Sequence, residues 1–260
     1  MLPQPTQHAH VNLLLNTLLA KMRPILGEKL LGLYLYGSLT VGGFDSASDV
    51  DTVAILREML TEEEFSRLDA MHGEIVAQLP QWNNRIEIIY ATQQGIQTYD
   101  THISQQAVIS PGEPFHIVEA GQDWVMNWYF VREYGITLYG AAPQTLIPPI
   151  PKAVFLQAAY DTADEWEGRM GDLPGLPWQS YSILTLCRAY YTVTHGEHVS
   201  KQDAAEWVSS QLPQYAPQIQ QALEWRMGTF SQDDDSETTL LVTQKLLREL
   251  ITLIQATEPS

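Results

Sequence analysis

Three prolines within four residues, Pro148, Pro149 and Pro151, divide the chain into parts with different sequence patterns. Proline fixes φ and has no amide hydrogen, so neither a helix nor an interior strand can continue through this segment. Residues 1–150 alternate short apolar runs with helical patterns, whereas residues 151–260 show helical spacing almost throughout. The sequence therefore predicts an α+β chain: a domain of mixed sheet and helices at 1–150, followed by an all-α helical bundle at 151–260.

The first domain has the more varied pattern. Strands are predicted at 30–36, 49–55 and 85–90, and helices at 11–25, 61–79 and 123–134. Residues 93–118 show only weak periodicity, so we expect that segment to be rich in loops.

The second domain contains a succession of amphipathic segments. Helices are predicted at 152–170, 181–194, 217–227 and 236–256. A further helix is expected to begin after Ser200, because Ser200 to Asp203 resembles a capping box. His195 and His198 flank Gly196-Glu197 between two of these helices, and we interpret them as surface turn residues in preference to metal ligands.

Acidic residues outnumber basic residues by 31 to 14, which gives a formal net charge of −17. Nucleic-acid and anionic-membrane surfaces require clustered Lys and Arg, so neither partner is expected. The lone cysteine, Cys187, excludes an internal disulfide and a multi-cysteine metal site. No apolar run is long enough for a membrane span and the first residues lack a basic signal-peptide pattern, so we expect a cytoplasmic protein.

The first domain also contains acidic residues whose spacing indicates chemistry. Gly37 and Ser38 follow the first predicted strand, and Asp49 and Asp51 begin the second after ten intervening residues. Alternate strand residues project from one face, so these carboxylates would lie about 7 Å apart on the same side. Such a pair repels unless a cation lies between its members, and Mg²⁺ is the natural occupant. Glu87 would add a third carboxylate if its strand is a neighbour.

Taken together, Gly37-Ser38, ten residues, then Asp49-Val50-Asp51 resemble the signature of the polymerase-β-like nucleotidyltransferase superfamily. Residues 184–196 and 200–207 resemble the helical domain of the aminoglycoside nucleotidyltransferases that modify streptomycin and spectinomycin. Residues 132–140 resemble the helix end and the turn that precede that domain. The resemblance extends from about Leu31 to Trp207, and more loosely to the C-terminus.

That resemblance implies an N-terminal polymerase-β-like nucleotidyltransferase domain, a helical domain and an active site in the cleft between them. It implies transfer of AMP from ATP to a hydroxyl of a small cationic antibiotic. We expect the protein to be a monomer. Glu87 would be the catalytic base and, with Asp49 and Asp51, would bind Mg²⁺. The positions implied to bind the nucleotide are Gly37, Ser38, Ser48, Arg188 and Lys201.

The acceptor part of the pattern departs from the family. The family contacts its antibiotic with a Trp after the base strand and with Asp residues before the Arg-bearing helix. Here residues 111–116 contain no Trp and residues 174–179 contain no Asp. We therefore favour a spectinomycin-like acceptor over streptomycin. Two alternatives stay open: the same chemistry on another small molecule or a protein, and a non-catalytic nucleotide sensor, which the intact Asp49, Asp51 and Glu87 disfavour.

Overall fold

The computed structural model describes residues 4–171, 173–231 and 234–257. The chain forms two compact units. The first comprises Met1–Thr40 and Ser48–Ile150, and the second comprises Val41–Ala47 and Pro151–Ser260. Within the described ranges, no helix combines the length and apolarity needed to cross a bilayer.

A mixed sheet forms the centre of the first unit. Its described strands number six, in the spatial order β5-β4-β3-β2-β1-β6, and only the β2–β3 pair is parallel. The strands β1, β2 and β3 have apolar sequences and are buried along most of their length, which suits strands that have a neighbour on each side. The strands are β1 Leu30–Tyr36, β2 Val50–Leu56, β3 Ile86–Thr92, β4 Ser104–Ser110, β5 Glu113–Ala120 and β6 Ile136–Gly140.

Helices complete the first unit: α1 Ala9–Leu26, α2 Glu62–Gln78, α3 Gln93–Gln97 and α4 Val125–Tyr134. The apolar stripe of α1 is buried, and α1 packs against α2. The α2 helix begins with a capping box between Thr61 and Glu64. The α4 helix packs against β1, which brings one helical face next to the end of that strand.

Two expectations for the first unit are wrong. Residues 93–118 are not mainly loop, since they contain α3, β4 and most of β5. The β4 and β5 strands form a hairpin at one side of the sheet, where exposed polar side chains weaken the apolar alternation. The turn expected within residues 132–140 is instead strand β6, which pairs antiparallel with β1.

The second unit is helical, as predicted. Its core lies around α6, which packs against each of the other helices. The start of α6 at Leu176 is five residues earlier than expected, because Pro177 occupies the first turn, where a missing amide hydrogen costs nothing. The helices are α5 Lys152–Arg169, α6 Leu176–His195, α7 Lys201–Gln211, α8 Ala216–Arg226 and α9 Ser236–Ala256.

Candidate active site on the central strands

The predicted carboxylates of β2 and β3 lie next to each other. Asp51 pairs with Glu87 across the parallel strands, and Tyr36 of β1 pairs with Asp51 on the other side. Residues paired in register on neighbouring strands project from the same face, with strands about 4.8 Å apart. The three side chains therefore form a row across the centre of the sheet, and the two carboxylates are immediate neighbours.

Gly37 allows the Asp51 carboxylate to lie against the backbone that follows β1. Its φ is +72°, in the left-handed region that glycine tolerates best. A Cβ at this position would overlap Oδ2 of Asp51 and lie 2.7 Å from its Cγ. The predicted Gly-Ser turn thus has a specific requirement for glycine, because a side chain would displace an acidic group of the site. Ser38 follows in the same 3-10 turn and is half-buried.

The Glu87 side chain is held by two residues that sequence reasoning did not select. The Tyr36 hydroxyl donates to Oε1 of Glu87 at 3.1 Å, and the Asn127 amide donates to the Tyr36 oxygen at 3.2 Å. Burial, followed by the negative charges of Glu87 and Asp51, raises the pKa of Tyr36 well above its ordinary value. The phenol therefore stays protonated and remains a hydrogen-bond donor.

Asp49 lies immediately before β2 rather than within it, which corrects the predicted strand start by one residue. Arg85 fixes the backbone on both sides of Asp49. Its Nε donates to the Ser48 carbonyl at 3.1 Å, and its own carbonyl accepts from the Val50 amide at 3.0 Å. The Ser48 side chain is buried.

Most of the segment between Ser38 and Asp49, Val41–Ala47, belongs to the helical unit. Asp45 forms an ion pair with Arg226 at the end of α8, and Gly43 lies against Ser200 so closely that a Cβ would overlap it. Ser200 in turn caps α7, because its hydroxyl accepts from the Asp203 amide at 3.0 Å. These contacts place Val41–Ala47 within the second compact unit.

The predicted phosphate-binding cations both lie in the second unit. Arg188 is half-buried on α6, and Lys201 is the first residue of α7. The Lys201 ammonium lies 4.9 Å from the centre of the Tyr181 ring, a cation–π distance. Burial, and then the charge of Arg188, lowers the pKa of His198 to about 3. The surface interpretation thus suits the exposed His195 but is wrong for the half-buried His198.

The donor chemistry of the site suits Mg²⁺, because hard carboxylate oxygens are the ligands that this ion prefers. Asp51 and Glu87 are side by side, and Asp49 precedes Asp51 by two residues. Within the described part of the chain, no group of three or more His, Cys, Asp or Glu side chains is arranged to hold a metal ion. The three-carboxylate ligand set of Asp49, Asp51 and Glu87 stays a prediction.

Of the two residues that the sequence did not indicate, Tyr36 could have been predicted but Asn127 could not. Tyr36 directly precedes Gly37 at the end of an apolar strand, so a correct β1–β2 register would have placed it beside Asp51. Asn127 lies on α4, forty residues after Glu87, and nothing in the sequence links the two. Its position follows only from the packing of α4 against β1.

A mixed sheet with adjacent carboxylates next to a Gly-Ser turn, together with a helical second unit, is the arrangement that the resemblance to nucleotidyltransferases predicts. Residues 145–248 match the family model described as "Aminoglycoside adenylyltransferase, C-terminal domain". The expected resemblance to the aminoglycoside nucleotidyltransferases is confirmed by this match and by similar proteins whose names support nucleotidyltransferase activity.

The similar proteins span most of the chain. A protein of Campylobacter jejuni named spectinomycin 9-adenylyltransferase is 28% identical over 236 residues, which cover 86% of this chain and 87% of the relative. An aminoglycoside (3'')(9) adenylyltransferase of Escherichia coli is 26% identical over 252 residues, which cover 87% of this chain and 88% of the relative. The crystal structure of spectinomycin adenyltransferase AAD(9) from Enterococcus faecialis, with ATP and spectinomycin, superposes with a TM-score of 0.72. It shares 22% identity and covers 90% of this chain and 98% of its own, so it confirms the fold.

Proposed function

We propose that the protein transfers AMP from ATP to a hydroxyl of spectinomycin or a closely related aminocyclitol. The observation that carries this proposal is the pairing of Asp51 and Glu87 on adjacent strands beside the Gly37 turn. One carboxylate is available for the nucleotide's metal ion and its neighbour for the proton of the attacking hydroxyl. The names of the relatives support the acceptor class.

The reaction assigns a separate task to Glu87. The acceptor oxygen attacks the α-phosphorus of ATP, a new O–P bond forms, and the bond from that phosphorus to the β-phosphate bridging oxygen breaks. Pyrophosphate leaves with the bonding electrons, and Glu87 accepts the proton of the acceptor hydroxyl. Glu87 must therefore present a carboxylate oxygen within hydrogen-bond reach of that hydroxyl.

Asp49 and Asp51 would hold Mg²⁺, together with Glu87 in the predicted three-carboxylate set. The bound ion would offset the negative charge of the phosphates and support in-line displacement. The chain's own contribution is to place hard oxygen ligands at one point of the sheet, and Gly37 leaves the space that the Asp51 carboxylate needs.

Phosphate binding falls to the Gly37-Ser38 turn, Ser48, Arg188 and Lys201. Backbone amides and a hydroxyl suit phosphate oxygens without adding bulk. Arg188 and Lys201 supply positive charge in a chain with only 14 basic residues against 31 acidic ones. Arg188→Ala should raise the KM for ATP, whereas Arg169→Ala, at an exposed pair with Glu165 on α5, should leave it unchanged.

The acceptor assignment rests on two sequence departures and on charge. The segment at 111–116 has no Trp, and the segment at 174–179 has no Asp, which favours spectinomycin over streptomycin. The net charge of −17 favours a cationic acceptor over an anionic one. The location in the cytoplasm, where ATP is available, and the monomeric state stay predictions.

The decisive experiment measures acceptor-dependent pyrophosphate release from MgATP with spectinomycin, streptomycin and further aminoglycosides. We expect release with spectinomycin, and a fall of roughly a hundredfold or more in Glu87→Gln, since general-base catalysis contributes about that factor. Glu119→Gln is the matched control, because it removes an exposed strand carboxylate in β5.

The outcomes separate the candidate functions. No pyrophosphate release with any of the antibiotics would overturn the proposed acceptor class. Release that persists unchanged in Glu87→Gln would overturn the role of Glu87 as base. Labelling of a protein in lysate by α-labelled ATP, without labelling of any antibiotic, would establish the alternative of protein adenylylation.

A further inference from the structure

We propose that Tyr36 and Asn127 form a hydrogen-bonded pair that orients the Glu87 carboxylate for proton abstraction. The inference rests on the proposed function of Glu87 as base. Tyr36 and Asn127 are positioning residues, because they act through Glu87. The proposal stands on the chain of contacts from the Asn127 amide to the Tyr36 oxygen and from the Tyr36 hydroxyl to Oε1 of Glu87.

The direction of both hydrogen bonds follows from the groups involved. An ionised carboxylate can only accept, so the bond between Tyr36 and Glu87 uses the single phenolic proton. The Tyr36 oxygen then has lone pairs left to accept from the Asn127 amide nitrogen. The single phenolic proton of Tyr36 is used in the hydrogen bond to Glu87, so the hydroxyl cannot donate to a second acceptor at the same time.

The pair is built on rigid parts of the first unit. Tyr36 is 4% exposed, and it ends a strand that has neighbours on both sides. Asn127 is half-buried on α4, close to the buried Val125 and Trp128 that anchor this helix. Neither residue can rotate freely, so their hydrogen bonds restrict the carboxylate rather than follow its motion.

The consequence concerns the geometry of the base. The terminal torsion of a glutamate is broad, and an unrestrained carboxylate samples many orientations. A hydrogen bond to Oε1 fixes the plane of the group, and with it the position of Oε2. An orientation defined before the acceptor arrives raises the rate of the chemical step but contributes nothing to ATP affinity.

The first test compares two phenol deletions in the same strand. Tyr36→Phe removes the hydroxyl that contacts Glu87, whereas Tyr34→Phe removes a hydroxyl that donates to the Ala141 carbonyl at 2.8 Å. We expect the single-turnover rate of AMP transfer to fall by about tenfold or more in Tyr36→Phe, the scale of a hydrogen bond to a charged group. The KM for ATP should stay unchanged, and Tyr34→Phe should keep the wild-type rate.

A double-mutant cycle tests whether Asn127 acts through Tyr36. Asn127→Ala alone should lower the rate by less than Tyr36→Phe, and the double variant should be no slower than Tyr36→Phe. Multiplicative losses would overturn the linked arrangement. A wild-type rate in Tyr36→Phe, or an equal loss in Tyr34→Phe, would overturn the positioning role of Tyr36.

A structural readout keeps the inference separate from the proposed function. Crystal structures of the wild type and Tyr36→Phe should show one Glu87 carboxylate orientation in the former and a changed or divided one in the latter. An identical Glu87 in both would overturn the inference even if the enzyme adenylylates spectinomycin. A wild type without activity towards any antibiotic would instead count against the proposed function.

Discussion

At the scale of single residues, the contact between Gly37 and Asp51 is the strictest requirement of the site. The Asp51 carboxylate occupies the space in which any other residue at position 37 would place its Cβ. An aspartate that is to bind a metal ion must be held in place by its surroundings, and here the backbone of the turn forms one wall. Glycine is therefore required at position 37 because of where the Asp51 carboxylate lies.

Gly37→Ala should therefore abolish most of the activity. The new methyl group has to displace Asp51, and the φ of +72° adds backbone strain of about 1 kcal/mol. We expect a loss of at least roughly tenfold in pyrophosphate release, with a raised Mg²⁺ requirement. Activity over a Mg²⁺ titration is the measurement.

Gly42→Ala is the matched control for this substitution. Gly42 has nearly the same φ, +75°, but a Cβ there meets nothing within 4 Å. It introduces the backbone strain without the clash. If both variants lose activity equally, backbone strain alone explains the effect, and the proposed displacement of Asp51 is wrong.

The predicted site residues show where sequence reasoning succeeds and where it stops. Asp51 and Glu87 could be placed together because strand alternation and an apolar pattern fix which face each occupies. Tyr36 needed the register of β1 against β2, and Asn127 needed the packing of a helix from a distant part of the sequence. Contacts of that kind depend on tertiary packing, which no local pattern encodes.

At the scale of elements, burial decides which strands the sequence reveals. The strands β1, β2 and β3 are buried and have apolar runs, so their position was predictable within one or two residues. The β5 strand is largely exposed, and β6 is only five residues long with a single buried residue. Their pairing with β4 and β1 supplies the stability that their own sequences do not indicate.

The start of α2 offers a prediction about stability and pH. Burial opposes ionisation of Glu64, but hydrogen bonds from the Lys29 ammonium at 2.6 Å and the Thr61 amide at 2.7 Å outweigh it, so the pKa of Glu64 lies below its ordinary value. A depressed carboxyl pKa stabilises the folded state above the unfolded-state pKa, and this contribution is lost as the pH falls through the folded-state pKa.

Glu64→Gln should accordingly lower the free energy of unfolding by about 1 kcal/mol near pH 7. The difference from the wild type should begin to shrink as the pH falls through the unfolded-state glutamate pKa of about 4.3, and the charge-based part should be lost only below the lower folded-state pKa, where Glu64 is protonated in both states. Urea unfolding at several pH values measures it. Glu63→Gln, in the same turn but with an 83% exposed side chain, should have little effect at any pH. A constant deficit for Glu64→Gln at all pH values would contradict the charge-based explanation.

At the scale of the whole molecule, the proline segment is not the only place where the chain passes from one compact unit to the other. Residues 41–47 belong to the helical unit, although the sequence on both sides of them belongs to the first. The ion pair of Asp45 with Arg226 joins residues 181 positions apart, and no local pattern indicates such a contact. Along the chain, this loop lies between the Gly-Ser turn and Asp49.

The net charge of −17 leads to a prediction with opposite signs for the two substrates. A strongly negative protein attracts a cationic acceptor and repels ATP, and salt screens both effects over a Debye length of roughly 10 Å at 0.1 M. Raising NaCl from about 50 mM to about 300 mM should lower kcat/KM for spectinomycin severalfold and should leave unchanged or raise kcat/KM for ATP. Both constants are measured in one salt series at fixed free Mg²⁺, with sucrose as the uncharged control.

A parallel fall of both constants would point to loss of Mg²⁺ or phosphate contacts instead. A spectinomycin constant insensitive to salt would show that the acidic surface has no part in acceptor capture and leave solubility as its role.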